Sequence, residues 1–160
     1  MIFVTVGSMM AFDRLILCMD KWALAHADCE VLAQIGGGIY QPSHMRSTRM
    51  LSPSKFQEAV RDAAVVVAHA GMGSYFVAAE LQKPIVMLPR LAANREHTTD
   101  HQLHTIKWLR DRPGVFAAMS DDELDSAIDK AMTGAAAAGA NFTDFAPEPF
   151  LARVRHFLVN

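Results

Sequence analysis

The chain has 160 residues, half of them apolar and a fifth charged, which fits a single soluble globular domain with a substantial core. Its formal net charge of −2 lacks the basic footprint of a nucleic-acid binder. No apolar run approaches the ~20 residues that span a bilayer, and residues 1–7 lack the basic and long apolar regions of a signal peptide.

The two cysteines, Cys18 and Cys29, suggest a reducing, cytoplasmic compartment rather than a disulfide scaffold. Cys18 shares a helical face with Leu15, Met19 and Trp22 and reads as a buried thiol. Ten methionines exceed what a core of this size requires; they either fill gaps or face a partner.

Residues 2–6 are alternating and β-branched, a first strand that ends at Gly7-Ser8. Apolar positions 12, 15, 16, 19, 22 and 23 carry a helical period over 12–27. Residues 30–35 form a second strand closed by three glycines, and 40–51 is polar and irregular. Ser52 caps a short helix with Pro53 at its first position, running to Asp62. A third strand over 64–68 stops at a turn containing Gly71 and Gly73, and a helix follows to Gln82. Lys83-Pro84 ends that helix before a fourth strand over 85–88. After a loop over 89–96 come a helix over 98–110, a short strand over 115–117, and a capping-box helix start at Ser120 to Glu123. Residues 134–146 form a small-residue connector to a last helix, opened by Pro147, with Phe150, Leu151, Val154, Phe157 and Leu158 on one stripe. Alternating strands and helices predict a single Rossmann-like α/β domain over 1–160, its parallel sheet covered by helices on both faces.

Four places are candidates for chemistry. Gly7-Ser8 permits close approach of an anion to the backbone, although a glycine there also serves a purely steric turn. Gly71, Met72, Gly73 and Ser74 precede a helix and form either an N–H cradle at its positive end or a tight turn with close packing. The G-x-G-x-x-G dinucleotide fingerprint fails at Val77-Ala78, which points away from NAD. Glu80 closes an otherwise apolar helix; it either pairs with ribose hydroxyls or faces solvent. His97, Asp100, His101, Gln102 and His104 concentrate polar groups. They suit a set of donors around a sugar diphosphate or a solvated helix start. A zinc site on His97 and His101 lacks the glutamate of H-E-x-x-H and any nearby cysteine.

The ordered series Val4-Thr5-Val6-Gly7-Ser8, Gln34-Ile35-Gly36, His69 to Ser74, Glu80, Lys83-Pro84, Pro89-Arg90 and Glu96 to Gln102 resembles the carboxy-terminal, nucleotide-sugar-binding half of glycosyltransferase family 28. The last block is especially similar to short bacterial exopolysaccharide glycosyltransferase subunits. It is also similar to the soluble subunit of the eukaryotic two-part transferase acting on dolichol diphosphate. Met72 replaces a smaller residue or proline, and Arg95 stands where glycine is usual.

The resemblance implies the donor half of a GT-B fold and an inverting transfer from a UDP-sugar without a metal or other cofactor. On that basis Gly7 and Ser8 with the turn Gly71, Met72, Gly73 and Ser74 would hold the diphosphate, Glu80 would bind the ribose, and His69 and Arg90 would be further substrate-binding residues. His97, Asp100, His101 and Gln102 would reach the donor sugar or its phosphates, and the segment 54–56 would lie near the uracil edge. The acceptor site and catalytic base would belong to a membrane-anchored partner subunit. That partner would present a lipid-linked saccharide and recruit this chain peripherally to the membrane. The competing expectations are a non-catalytic nucleotide-sugar-binding regulatory subunit, a UDP-sugar epimerase, and a metal-dependent hydrolase using His97 and His101.

Overall fold

Strand residues of opposite parity build two separate cores. Ile2, Val4 and Val6 point to one side of the first strand and Phe3 to the other. In the computed structural model, which describes residues 1–134 and 148–159, six strands form one sheet. The strands are β1 (Ile2–Thr5), β2 (Val31–Gln34), β3 (Arg46–Thr48), β4 (Val65–His69), β5 (Ile85–Leu88) and β6 (Val115–Ala117). Their spatial order is β3-β2-β1-β4-β5-β6 and every pair is parallel. Such a sheet must be covered on both faces, because its central strands are apolar on both sides.

The helices do this. α1 (Asp13–Ala25) packs Leu15, Ile16, Met19 and Trp22 onto the Ile2–Val4 face, joined by Leu124 and Ile128 of α5 (Leu124–Thr133). The opposite face takes Val60 of α2 (Pro53–Asp62), Tyr75 and Ala78 of α3 (Met72–Glu80), and Ile106 and Leu109 of α4 (His101–Leu109). The expected single α/β domain with a doubly covered parallel sheet is therefore what forms. Among the described residues, no helix is long and apolar enough to cross a membrane.

The structure departs from the sequence reading in four places. The polar stretch 40–51 contains β3, an edge strand largely exposed and without an apolar pattern. Side chains on α1 fix the loop before it: Asp13 accepts hydrogen bonds from the backbone N–H groups of Ile39 and Tyr40, and buried Asp20 from those of Ser43 and His44 and from the Tyr40 hydroxyl. Gly38 fits only because it has no side chain, since a Cβ there would lie 2.1 Å from Asp13 Oδ1.

The helix expected over 98–110 begins at His101, because Asp100 accepts from the Ala92 N–H instead of capping it. The helix expected at Ser120 opens with a 3-10 turn, Asp121–Glu123, and the Glu123 carboxylate reaches back to the Met119 N–H. The first helix starts at Asp13, one residue later than its period suggests. The connector proposed for 134–146 lies, beyond Gly134, outside the described residues, as does Pro147. The final helix, α6 (Glu148–Val159), leaves Val154, Phe157 and Leu158 exposed.

Candidate functional site: a cleft at the carboxyl edge of the sheet

β1 and β4 lie side by side at the centre, and their connections leave in opposite directions. At such a switch point the loops after the two strands diverge and open a crevice. A cleft of about 610 Å³ occupies it. Gly7, Ser8, Met9 and Met10 line it from the loop after β1, and His69, Gly71, Met72, Gly73, Ser74 and Val77 from the end of β4 and α3. Arg90, His97, His101 and Gln102 close one side. Gln34, Met50, Leu51, Pro53, Phe56 and Gln57 close the other.

The glycines are required by a close approach. The His69 ring is wedged between the two glycine turns: a Cβ on Gly7 would lie 2.6 Å from His69 Cε1, and one on Gly71 only 2.1 Å from Nε2. Gly7 also has φ +77°, in the left-handed region that side chains rarely adopt. Gly73 has open space where its Cβ would be. Backbone N–H groups at the start of α3 thus border the cleft without a covering side chain, the arrangement that attracts an anion.

Burial, reinforced by the positive charge of Arg90, pushes the His69 imidazole down to about 4, while the Thr5 backbone carbonyl pulls weakly the other way. The ring is therefore neutral at physiological pH. Desolvation, with His101 and Arg90 nearby, also holds His97 below the usual histidine range. The His97 and His101 rings meet edge to face with centroids 4.3 Å apart.

Arg90 is buried and spends its guanidinium on the protein. Nη2 donates to the carbonyls of Val6 (2.6 Å) and Met10 (2.7 Å), and Nη1 to that of Ala11 (3.1 Å). Its own N–H donates to Gln102 Oε1 at 3.0 Å. Arg90 thus ties the loop after β5 to the loop after β1, and Gln102 ties the loop after β5 to α4. Burial lowers the Arg90 pKa and the Glu96 carboxylate opposes that shift.

Glu96 does not face the cleft. It accepts a two-pronged bond from Arg14 (2.7 and 2.8 Å) and another from the Leu91 N–H, and Arg14 also bonds the Pro89 carbonyl and Asp121. Burial works against the Glu96 charge, but these donors hold its pKa below the usual carboxylate range. Arg95, where a glycine was expected, adopts φ +57°, so the backbone there has the left-handed form that glycine tolerates best.

Eleven of the thirteen residues expected at the site line the cleft; Glu80 and Asp100 do not. Glu80 is exposed at the last position of α3, about 12 Å along the axis from the helix start at 1.5 Å per residue. Val77, one turn earlier, fills the cleft wall instead. Asp100 is occupied by the Ala92 N–H. His97 precedes α4 rather than sharing its face with His101, and among the described residues no three His, Cys, Asp or Glu side chains converge as a metal site.

The sequence does not mark Gln34 as a site residue, and of the apolar wall it points only to Phe56, within the segment 54–56 expected near the uracil edge. Buried Gln34 was discernible as a polar residue ending an apolar strand. Met9, Met10, Met50 and Met72 line the cleft, so part of the methionine excess belongs to this site rather than to the core.

Fold and cleft together define an α/β domain with an open cleft, bordered by glycine turns and a helix N-terminus, at the switch point of its sheet. The family model for the glycosyltransferase family 28 C-terminal domain matches residues 1–144, and the chain belongs to that family. No curated protein matches the chain. Its fold is similar to the glycotransferase of kitacinnamycin, at TM-score 0.61 and 17% identity over 86% of this chain and 36% of that one. It is similar to the glycosyltransferase SnogD from Streptomyces nogalater, at TM-score 0.57 and 17% identity over 99% and 44%. The chain thus spans less than half the length of these two proteins. ALG13, solved by NMR, is matched at TM-score 0.57 and 15% identity over 96% of this chain and 93% of that one.

Proposed function

We propose that the chain is the donor-binding part of a two-component glycosyltransferase. It binds a UDP-sugar and, with a membrane-anchored partner that holds a lipid-linked saccharide, transfers a hexose or hexuronic acid in exopolysaccharide or glycan biosynthesis. The observation that carries this reading is the meeting of His69, the first-turn N–H groups of Met72 to Ser74, and Gly7-Ser8 around one cleft. Membership of the glycosyltransferase family 28 C-terminal domain family supports it. The match to nearly all of ALG13 supports a chain of this size carrying the fold by itself.

In this reading the α3 N-terminus and the turn at Gly71 face the diphosphate. An acceptor hydroxyl attacks the anomeric carbon from the face opposite the leaving group, and the bond from that carbon to the diphosphate oxygen breaks. UDP departs with the electron pair, and the hydroxyl proton passes to a base on the partner. Fixed N–H dipoles stabilise the negative charge that grows on the leaving diphosphate. Neutral His69 meets that charge without adding a cation, and Arg90 holds both cleft loops at fixed distance. No residue of this chain is assigned as the base. Met9 and Ile39, on loops near the sheet's carboxyl edge, are almost fully exposed and offer apolar surface to a covering domain.

The reading is tested by co-expression with candidate membrane-associated amino-terminal subunits and turnover of a panel of UDP-sugars. Transfer only in the presence of a partner is expected. Full-rate transfer to a lipid acceptor by the isolated chain contradicts the two-component scheme. UDP binding with no turnover beside the cognate partner points to the regulatory alternative.

A further inference from the structure

The cleft carries no carboxylate among its described lining residues. Acids close in sequence to the lining segments are engaged elsewhere or point away. Asp13 is held by two backbone N–H groups, Glu58 by Lys55, Glu96 by Arg14, and Asp100 by the Ala92 N–H. Glu80 is exposed at the far end of α3. The wall away from the phosphate turn is Met50, Leu51, Pro53, Phe56 and Val77. The Gln34 amide beside it is occupied, its Oε1 accepting from the Leu51 N–H at 2.9 Å and its Nε2 donating to the Gly7 carbonyl at 3.3 Å.

A ribose presents two adjacent hydroxyl donors, which a carboxylate accepts together. One charge-assisted bond of that kind is worth roughly tenfold to a hundredfold in affinity. Nothing in this wall supplies that acceptor. Exposed Gln57 offers one neutral carbonyl oxygen, a much weaker reader. The wall is instead apolar and, through its methionine, adaptable, so the extra methyl of thymine adds surface that it accepts.

We propose that the cleft takes a thymidine diphosphate sugar as readily as a uridine diphosphate sugar, because it does not read the ribose 2′-hydroxyl. This rests on the donor-site reading above and narrows how that site recognises its nucleoside.

The test is calorimetric titration of the full chain with UDP, dUDP and dTDP. UDP and dUDP are expected to bind within fivefold of one another, with dTDP no weaker than dUDP. A preference of fivefold or more for UDP over dUDP overturns the proposal and leaves the donor site intact, as does dTDP binding at least fivefold more weakly than dUDP. Binding of none of the three overturns the donor-site reading and this proposal with it. Glu80→Ala, at an exposed position that leaves the core untouched, is expected to change neither the UDP nor the dUDP affinity. Loss of UDP affinity alone in that variant would put a carboxylate on the ribose and refute the assignment.

Discussion

Replacing Gly71 with alanine adds one methyl group to the closest contact in the cleft. That Cβ would lie 2.1 Å from His69 Nε2, 2.7 Å from Cδ2 and 2.9 Å from Cε1. The ring cannot withdraw freely, because Gly7 is packed against its Cε1 on another side. The Gly71 backbone is not the obstacle, since its φ of −109° suits any residue. The cost is therefore overpacking, about 1–3 kcal/mol. Urea unfolding of Gly71→Ala should show a lower midpoint at unchanged slope. The same substitution in a His69→Ala background should cost little, since the atoms it strikes are gone. The coupling between the two sites should then recover most of the single-variant loss. An equal cost with and without the ring would refute the wedge, and so would no cost in either background.

Acid stability should also report His69. Because the folded protein favours the neutral ring, the unfolded chain takes up the proton first, and stability is lost as pH falls from 6.5 towards about 4. The full loss is about 3 kcal/mol and the group contributes nothing above pH 7. Unfolding free energies between pH 5 and 6.5 should flatten in His69→Ala; an unchanged slope would contradict the assignment. Arg90→Met should cost about 2–3 kcal/mol by leaving the carbonyls of Val6, Met10 and Ala11 without their donor. It should raise amide exchange in residues 7–12 before any other segment, which hydrogen exchange by mass spectrometry measures. Arg95→Gly should be neutral or stabilise by about 1 kcal/mol, because φ +57° costs arginine more than glycine; thermal melts decide it.

The sheet and its two cores were legible because apolar strands such as Ile2–Thr5 and Val65–His69 alternate with helices of clear period. The glycine turns that border the cleft were legible for the same local reason, a glycine pair placed between a strand and a helix. β3 was not, because an exposed edge strand needs no apolar pattern and is positioned by Asp13 and Asp20 from a distant helix. Glu80, expected at the ribose, is exposed and not among the cleft-lining residues. Spacing along a helix gives a residue's distance from the turn but not whether its side chain enters the cleft, and Val77 holds that position. Nor do Arg14, Glu96 and Arg90 show in sequence that they clamp loops to one another. The partners that do so lie 75 to 107 residues away.

The account stands on one donor site at the switch point of the sheet. Titration of ¹⁵N-labelled protein with UDP tests it most directly. The amide resonances of Gly7, Ser8 and Gly71 to Ser74 should shift together and saturate with a single Kd. Saturable shifts centred on other residues, or none at millimolar UDP, would contradict it.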